Sequence, residues 1–429
     1  MARGEPLSGP GGVPAKAAGG SDRVGDTATV LGDGAIARRI WPIMLAAALG
    51  LVPFTVFSTF LVDIASGTDR DPVAVGSLRG LGGLSAVFVG ALYVSVADRL
   101  RQSLAAATAL LLLALGAGLL LISGVPTIVA FCLTTGAATA VLNPALQAEA
   151  ASRFSVSAEQ GRAATMVTAT TTLTAALAGP ILGGISLLGS WHLIMALTAV
   201  LALLAALGVA RYRPSIHLAE KNPKIDETAH RAEGLGWSGL LRRGDLLALV
   251  GISALRTAAF MGALAVVAAV YAERHSLTGT VFTLVWTVSG ISFFAANWWT
   301  GRRLARGTSA GRLFVAGFAA ALFSVVLVFC SVPLPAMITG TALLAAGHAL
   351  IAGCATTLIV RRAGGLRGRA LALAGTGQSV GTFAGAWAAG AGFAVGGWPG
   401  CAAALVALTA LAGILMLPLL RRTKGSPAA

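Results

Sequence analysis

The sequence predicts an all-α integral membrane protein of about twelve transmembrane helices, arranged in two six-helix, pseudo-symmetric bundles. Three observations carry that expectation. Of 429 residues, 56% are hydrophobic and only 11% are charged, whereas a soluble domain carries about 25% charged residues. The apolar residues fall into runs of about 20, each long enough to cross about 30 Å of hydrocarbon as a helix. Midway, the polar stretch "RYRPSIHLAEKNPKIDETAHRAEGLGWSGLLRRGD" interrupts them.

Residues 1–36 are rich in Gly, Pro, Ala and Asp and hold no apolar run of the kind a cleaved signal peptide needs; a disordered cytoplasmic tail is expected. Spans are expected at 40–62, 75–97, 103–123, 126–147, 163–187 and 191–210, forming an N-terminal bundle over 40–210. After the linker 211–245 come 246–271, 279–300, 311–331, 334–358, 370–393 and 397–420, a C-terminal bundle over 246–420, with a cytoplasmic tail at 421–429. The loop "VADRLRQ" of the first half is echoed by "TGRRLAR" of the second. Two six-helix halves joined by a charged linker suggest a duplicated bundle with a cleft between its halves.

Charge placement sets orientation. A formal charge of +15 could suggest a nucleic-acid partner, but 27 of the 31 Lys and Arg fall in segments that lie on one face of this layout. Arg70 and Arg274 alone fall on the other face, and Arg79 and Arg256 lie within spans. Basic residues concentrate on the cytoplasmic side of membrane proteins, so both termini are expected inside a cell membrane (inner or plasma), the bilayer is the expected partner, and nucleic acid is not. Cys132, Cys330, Cys354 and Cys401 lie in apolar segments without CxxC spacing, so neither a disulfide framework nor a metal site is expected. No HExxH, no paired intramembrane aspartates and no Ser/His couple stand at a legible spacing; the chain is not expected to be an enzyme, and no cofactor is expected.

Three segments carry a family resemblance. "GALYVSVADRLRQS" places Asp98, Arg99 and Arg101 in the loop between spans 2 and 3, "TTGAATAVLNPA" lies in span 4, and "AGPILGGISLLGSW" places Gly179, Pro180, Gly183 and Gly184 in span 5. Together they resemble the major facilitator superfamily over residues 40–420, the fifth-span segment being similar to a motif of its exporters. The first segment departs from the family pattern at Val94, and the fourth span carries Cys132 where the family's arginine would stand. The resemblance implies alternating access by a monomer, export of a small organic compound such as a drug or metabolite, and antiport with protons. It further implies an inner gate at Asp98, Arg99 and Arg101, latched against the start of span 11 near Arg369, and an external gate at the fifth-span bend. Uptake of a small solute is the alternative, and a non-transporting membrane protein a further one.

Polar groups inside a membrane are costly, which makes each a candidate site residue. Asp63 at the end of span 1 and Glu149 at the end of span 4 are the carboxylate candidates for proton coupling. His348 is deep in span 10; Asn143 and Gln147 share one face of span 4; Gln378 lies in span 11. All four are candidate cavity residues, as is Arg256, which stands about 15 Å into its span at 1.5 Å per residue, near the midplane and without an acid at that depth. It is therefore expected to face a wet cleft and to bind an anionic or carbonyl-bearing part of the cargo. Arg79, about 6 Å from the external end of its span, is expected to reach water by extending its side chain. The run "TATTTLT" is expected to bond its own helix backbone or to line the cavity, and Trp286 and Trp387 are deeper than the other tryptophans.

Overall fold

In the computed structural model, residues 31–211 and 242–423 are described. Residues 1–30 of the predicted tail 1–36, most of the linker and the last six residues lie outside them. The first half runs α1 (Asp33–Leu49), α2 (Val52–Thr59), α3 (Leu61–Ser66), α4 (Pro72–Ser77), α5 (Gly80–Val96), α6 (Gln102–Leu120), α7 (Val125–Ser152), α8 (Ser157–Leu188) and α9 (Trp191–Arg211). The second runs α10 (Gly244–His275), α11 (Gly279–Ala305), α12 (Ala310–Phe329), α13 (Leu334–Ala363) and α14 (Arg367–Thr423). There is no strand among the described residues.

Eleven of these segments, counted with their short breaks, are long and apolar enough to cross a membrane. The last of them, α14, is two crossings: the backbone leaves helical geometry at Gly396 and Gly397. Gly397 has φ +60°, a conformation open to glycine at little cost, and the following arm folds back so that Gly400 packs on Gly392. The layout thus has the twelve crossings read from the sequence. The first helix begins at Asp33, earlier than its apolar run, because Arg162 of α8 binds both the Asp33 carboxylate and the Leu31 carbonyl and holds that turn.

Local chemistry explains the ends. Pro72 opens α4 behind an Asp71 cap, whose carboxylate accepts from the N–H groups of Val73 (2.7 Å) and Ala74 (3.2 Å), satisfying donors that a helix start leaves free. Pro53, Pro126 and Pro335 likewise stand in first turns, where a missing N–H costs nothing. Thr278 caps α11.

Within each half, small residues set the spacing. Gly136 of α7 lies on the backbone of Gly82, and Gly381 and Gly385 of α14 lie on Ala254 and Ala258 of α10. Apolar side chains gain little by associating in lipid, so such close backbone approach is what joins the helices.

The halves meet along two seams, α5 with α14 and α8 with α11, and α10 also packs against α2, α3 and α4. A Cβ on Gly80 would stand 2.9 Å from the Phe383 carbonyl oxygen, and one on Gly83 2.5 Å from that of Ser379. On the other seam Gly179 and Gly183 of α8 lie on Thr287 and Thr283, and Gly290 of α11 lies on Ala175 and Ala176. Gly184 differs: nothing lies within 4 Å of the place its Cβ would take. These contacts cluster at the end of the bundle away from the linker. Toward the linker, Gly90 meets Ala140 of its own half, Gly377 meets Val250 and Ala254 of its own half, and Gly161 and Gly375 meet nothing. Among the described glycines, every close approach between the halves lies toward the face opposite the linker, and none toward the linker face.

The packing makes a paired prediction. Gly136→Ala drives a methyl group into the Gly82 backbone, which has no soft side chain to yield, and should lower thermal stability in detergent by about 1–3 kcal/mol. Gly184→Ala meets open space and should stay within about 0.5 kcal/mol of the parent. Equal melting temperatures for the two variants would contradict the packing described.

Candidate functional site

Below the closed face, between the halves, lies a cavity of about 470 Å³, within the range that encloses a small organic molecule. Both halves build it: α1, α2, α5, α7 and α8 from the first, α10, α11 and α14 from the second. Its walls are mostly apolar, with Phe54, Phe260, Trp286 and Phe293 supplying aromatic faces. Hydroxyls of Thr139, Thr171, Thr172, Ser289 and Thr382 and the amide of Asn143 are set among them. Arg79 is the only charged side chain among the described lining residues, and none of them is acidic.

Arg79 corrects the sequence reading. It is 8% exposed and faces the cavity instead of reaching the outer surface. The short α4 and the turn after it seat against α10 and α14, which closes the outward route and turns the guanidinium inward. Its Nη2 approaches the Met261 sulfur at 3.7 Å, its carbon lies 5.6 Å from the centre of the Phe54 ring, and Nε and Nη1 have no hydrogen-bond partner.

Arg256 is the opposite case. It lies at depth, 7% exposed, but is not among the lining residues. Nη2 donates to the Thr257 hydroxyl (2.8 Å), which in turn donates to the Ser253 carbonyl (2.8 Å), leaving Nε unbonded. Phe260, one turn on, forms the wall in its place: it stacks on Phe293 at 5.8 Å on the cavity side and meets the His348 ring at 5.1 Å. His348 is fully buried, with neither ring nitrogen bonded. Arg256 and His348 therefore sit within the second half, behind the cavity wall, because depth along a helix does not fix which way a side chain points.

The other candidates divide similarly. Asn143 lines the cavity; Gln147, one turn nearer the linker face, and Gln378 do not. Thr171 and Thr172 line it while donating their hydroxyls to the Thr168 carbonyl, so both readings of the threonine run apply. Trp286 lines the cavity, whereas Trp387 is 65% exposed and outside it. Glu149, 3% exposed, pairs with Arg153 at 3.7 Å near the linker end of α7. Asp63 is at the closed face, where the Gly279 N–H of α11 bonds its carboxylate across the two halves. Partial burial raises its carboxyl above the usual range, and that hydrogen bond draws it back. Asp98 lies in the turn Ala97–Arg99, but its side chain is outside the described set; Arg99 and Arg101 are exposed. The Gln102 amide braces this turn by donating to the Ala97 carbonyl at 2.8 Å. Of the fifth-span motif, Gly179 and Gly183 stand on the seam, and Pro180 and Gly184 are exposed beside it.

The sequence reading missed the role of Arg79 and the aromatic wall of Phe54, Phe260 and Phe293. An arginine four residues into an apolar span was the available signal for the first.

Comparison with known proteins follows the same architecture. Among solved structures, the chain is similar to a bacterial homologue of the human lysosomal transporter Spinster in an inward-facing, occupied conformation (TM-score 0.65, 12% identity, covering 91% of this chain and 99% of that one). It is also similar to a nucleoside transporter (TM-score 0.66, 13% identity, 92% and 100% covered) and to a D-xylose–proton symporter (TM-score 0.64, 16% identity, 87% and 97% covered). At those identities the likeness is one of fold. Among curated protein sequences, none matches this chain. A family model matches residues 43–364, about three quarters of the chain, and its description is the Major Facilitator Superfamily. The protein is a multi-pass membrane protein of the transporter type, and by that match it belongs to the major facilitator superfamily.

Proposed function

We propose that the protein is a secondary active exporter of a small organic compound, working by alternating access and driven by proton entry. The observation that carries this reading is the cavity between the halves, with the close glycine contacts that join them gathered at one face. Bundled basic residues at the linker face support its assignment as cytoplasmic, which makes the described conformation the one that loads from inside. The fifth-span glycines on the α8–α11 seam support an external gate, since a seam held by backbone approach opens and closes without rearranging side chains. The gate at the linker face closes in the opposite state, with Asp98 drawn to the positive N-terminal end of α14. For the proton we assign Glu149, a buried carboxylate whose Oε1 makes no hydrogen bond and whose ion pair with Arg153 is long.

Counterflow in inverted vesicles is the deciding experiment. Uptake of a labelled compound into inverted vesicles on acidifying their lumen means export, and the reverse polarity would mean import. Gly183→Leu inserts a branched side chain where even a Cβ would come 2.5 Å from the Thr283 hydroxyl. It should abolish transport at unchanged expression; unchanged transport would return this segment to passive packing.

Two further variants address the linker face. Asp98→Asn should raise the rate at which a maleimide applied from that face labels a cysteine placed at Asn143; an identical rate removes the latch. Glu149→Gln should leave counterflow of the cargo intact while abolishing its acceleration by a pH gradient, and a retained acceleration would move the proton site elsewhere.

A further inference from the structure

Arg79 points to the chemistry of the cargo. Its guanidinium is more than nine-tenths buried, it faces the cavity, and two of its nitrogens have no acceptor. The third meets only a thioether, a weak acceptor. An arginine stays charged at any physiological pH, so the group holds a full positive charge against apolar walls. Buried charges are ordinarily paired, yet no carboxylate stands among the described lining residues. Two features keep the charge in place without satisfying it. The Phe54 ring offers its negative face at 5.6 Å, and Gly80 and Gly83, both on the C-terminal side of Arg79, clamp the helix backbone to α14. The guanidinium is thus held at the cavity wall with Nε and Nη1 buried and without an acceptor.

From the transport reading above, on which this step rests, and from that geometry we infer that the cargo is an organic carboxylate with an apolar or aromatic body, and that Arg79 is its anchor. A carboxylate matches the planar donor array of a guanidinium. The body of the cargo lies against Phe260, Trp286 and Phe293, which face the cavity from the second half, and Asn143 offers an amide on the wall of the first. Binding then bridges the halves: the charge is held by α4–α5 and the apolar body by α10 and α11. An amine is excluded by like charge, and a neutral amide leaves Arg79 without its counter-ion.

The test uses the full-length purified protein in detergent and three carboxylates, benzoate, 4-phenylbutyrate and decanoate, with 4-phenylbutanamide and 4-phenylbutylamine as neutral and cationic counterparts. At least one carboxylate should raise the melting temperature and protect a cysteine at Asn143 from maleimide, and the amide and amine should do neither. In Arg79→Gln the affinity for that carboxylate should fall at least tenfold. With no ligand present, this variant should melt at or above the parent temperature, because an unpaired charge has been removed; a purely structural arginine would give the reverse. Arg79→Lys, which keeps the charge and loses the planar array, should bind with intermediate affinity and serves if the glutamine variant does not fold. Failure of all three carboxylates, equal protection by the amide, or unchanged affinity in Arg79→Gln would each overturn the inference. The transport reading fails separately: it requires maleimide to reach position 143 from the linker face, and a cysteine there that is unreactive in the ligand-free protein would remove the open cavity itself.

Discussion

The close approach of backbones along the two seams is the constraint on which the rest depends. Inside lipid, a helix gains little from burying one more apolar side chain, so two six-helix halves stay together only where their backbones touch. Gly80 and Gly83 make that possible on one seam, and Gly179, Gly183 and Gly290 on the other. Because all five lie toward the face opposite the linker, the halves are pinned at that end and free to diverge at the other. The cavity is a consequence of this uneven pinning, not of any special cavity-lining sequence. Its mixed lining follows too: one wall carries the side chains that each helix happens to turn inward where the seam ends.

Arg79 shows what the seam makes affordable. An unpaired arginine inside a span is costly, by about 2.5–3.5 kcal/mol on insertion scales at the very centre and less toward an end, and the Phe54 contact offsets about 0.5–2 kcal/mol. The remainder is carried by the packing of α4 and α5 against α10 and α14, which fixes the side chain's direction. Arg256 is solved differently. Its charge is partly met by Thr257, whose hydroxyl is already committed to the Ser253 carbonyl, and the aromatic Phe260 screens it from the cavity. Two arginines at comparable burial therefore have distinct surroundings, one open to a guest and one enclosed by its own half.

That contrast marks how much of the molecule the sequence could disclose. Run length and hydropathy determine crossings, so the twelve spans were legible, including the pair that the structure joins through Gly396 and Gly397. Spacing from a span's end gives depth, which is how Arg256 was placed about 15 Å into its span. Depth says nothing about azimuth: a rotation of 100° per residue separates a lining position from a buried one, and the choice is made by contacts between segments far apart in the chain. Arg79 was assigned to the surface for that reason, and Gln147 and Gln378 were grouped with Asn143 though they do not line the cavity. The fifth-span glycines were legible as small residues for packing, but that Gly183 faces α11 and Gly184 faces outward is settled by a single step along the helix.

The acid-free lining and the proposed direction of transport bear on one another. A carboxylate placed within reach of Arg79 would pair with it and compete with an anionic cargo, so a cavity that uses this arginine to bind must keep its proton-binding group elsewhere. Glu149, one to two turns beyond Asn143 toward the linker face, meets that requirement: it is outside the cavity, yet on the same helix as a lining residue. The electrical balance agrees. Expelling one negative charge from a cell whose interior is negative gains about 2.3 kcal/mol per 100 mV, and admitting a proton in exchange moves a second charge in the same sense. An exporter of carboxylates driven by proton entry thus draws on the membrane potential twice in each cycle, while import by the same exchange would have to work against it twice. The proposed exchange therefore favours sending the cargo out over bringing it in.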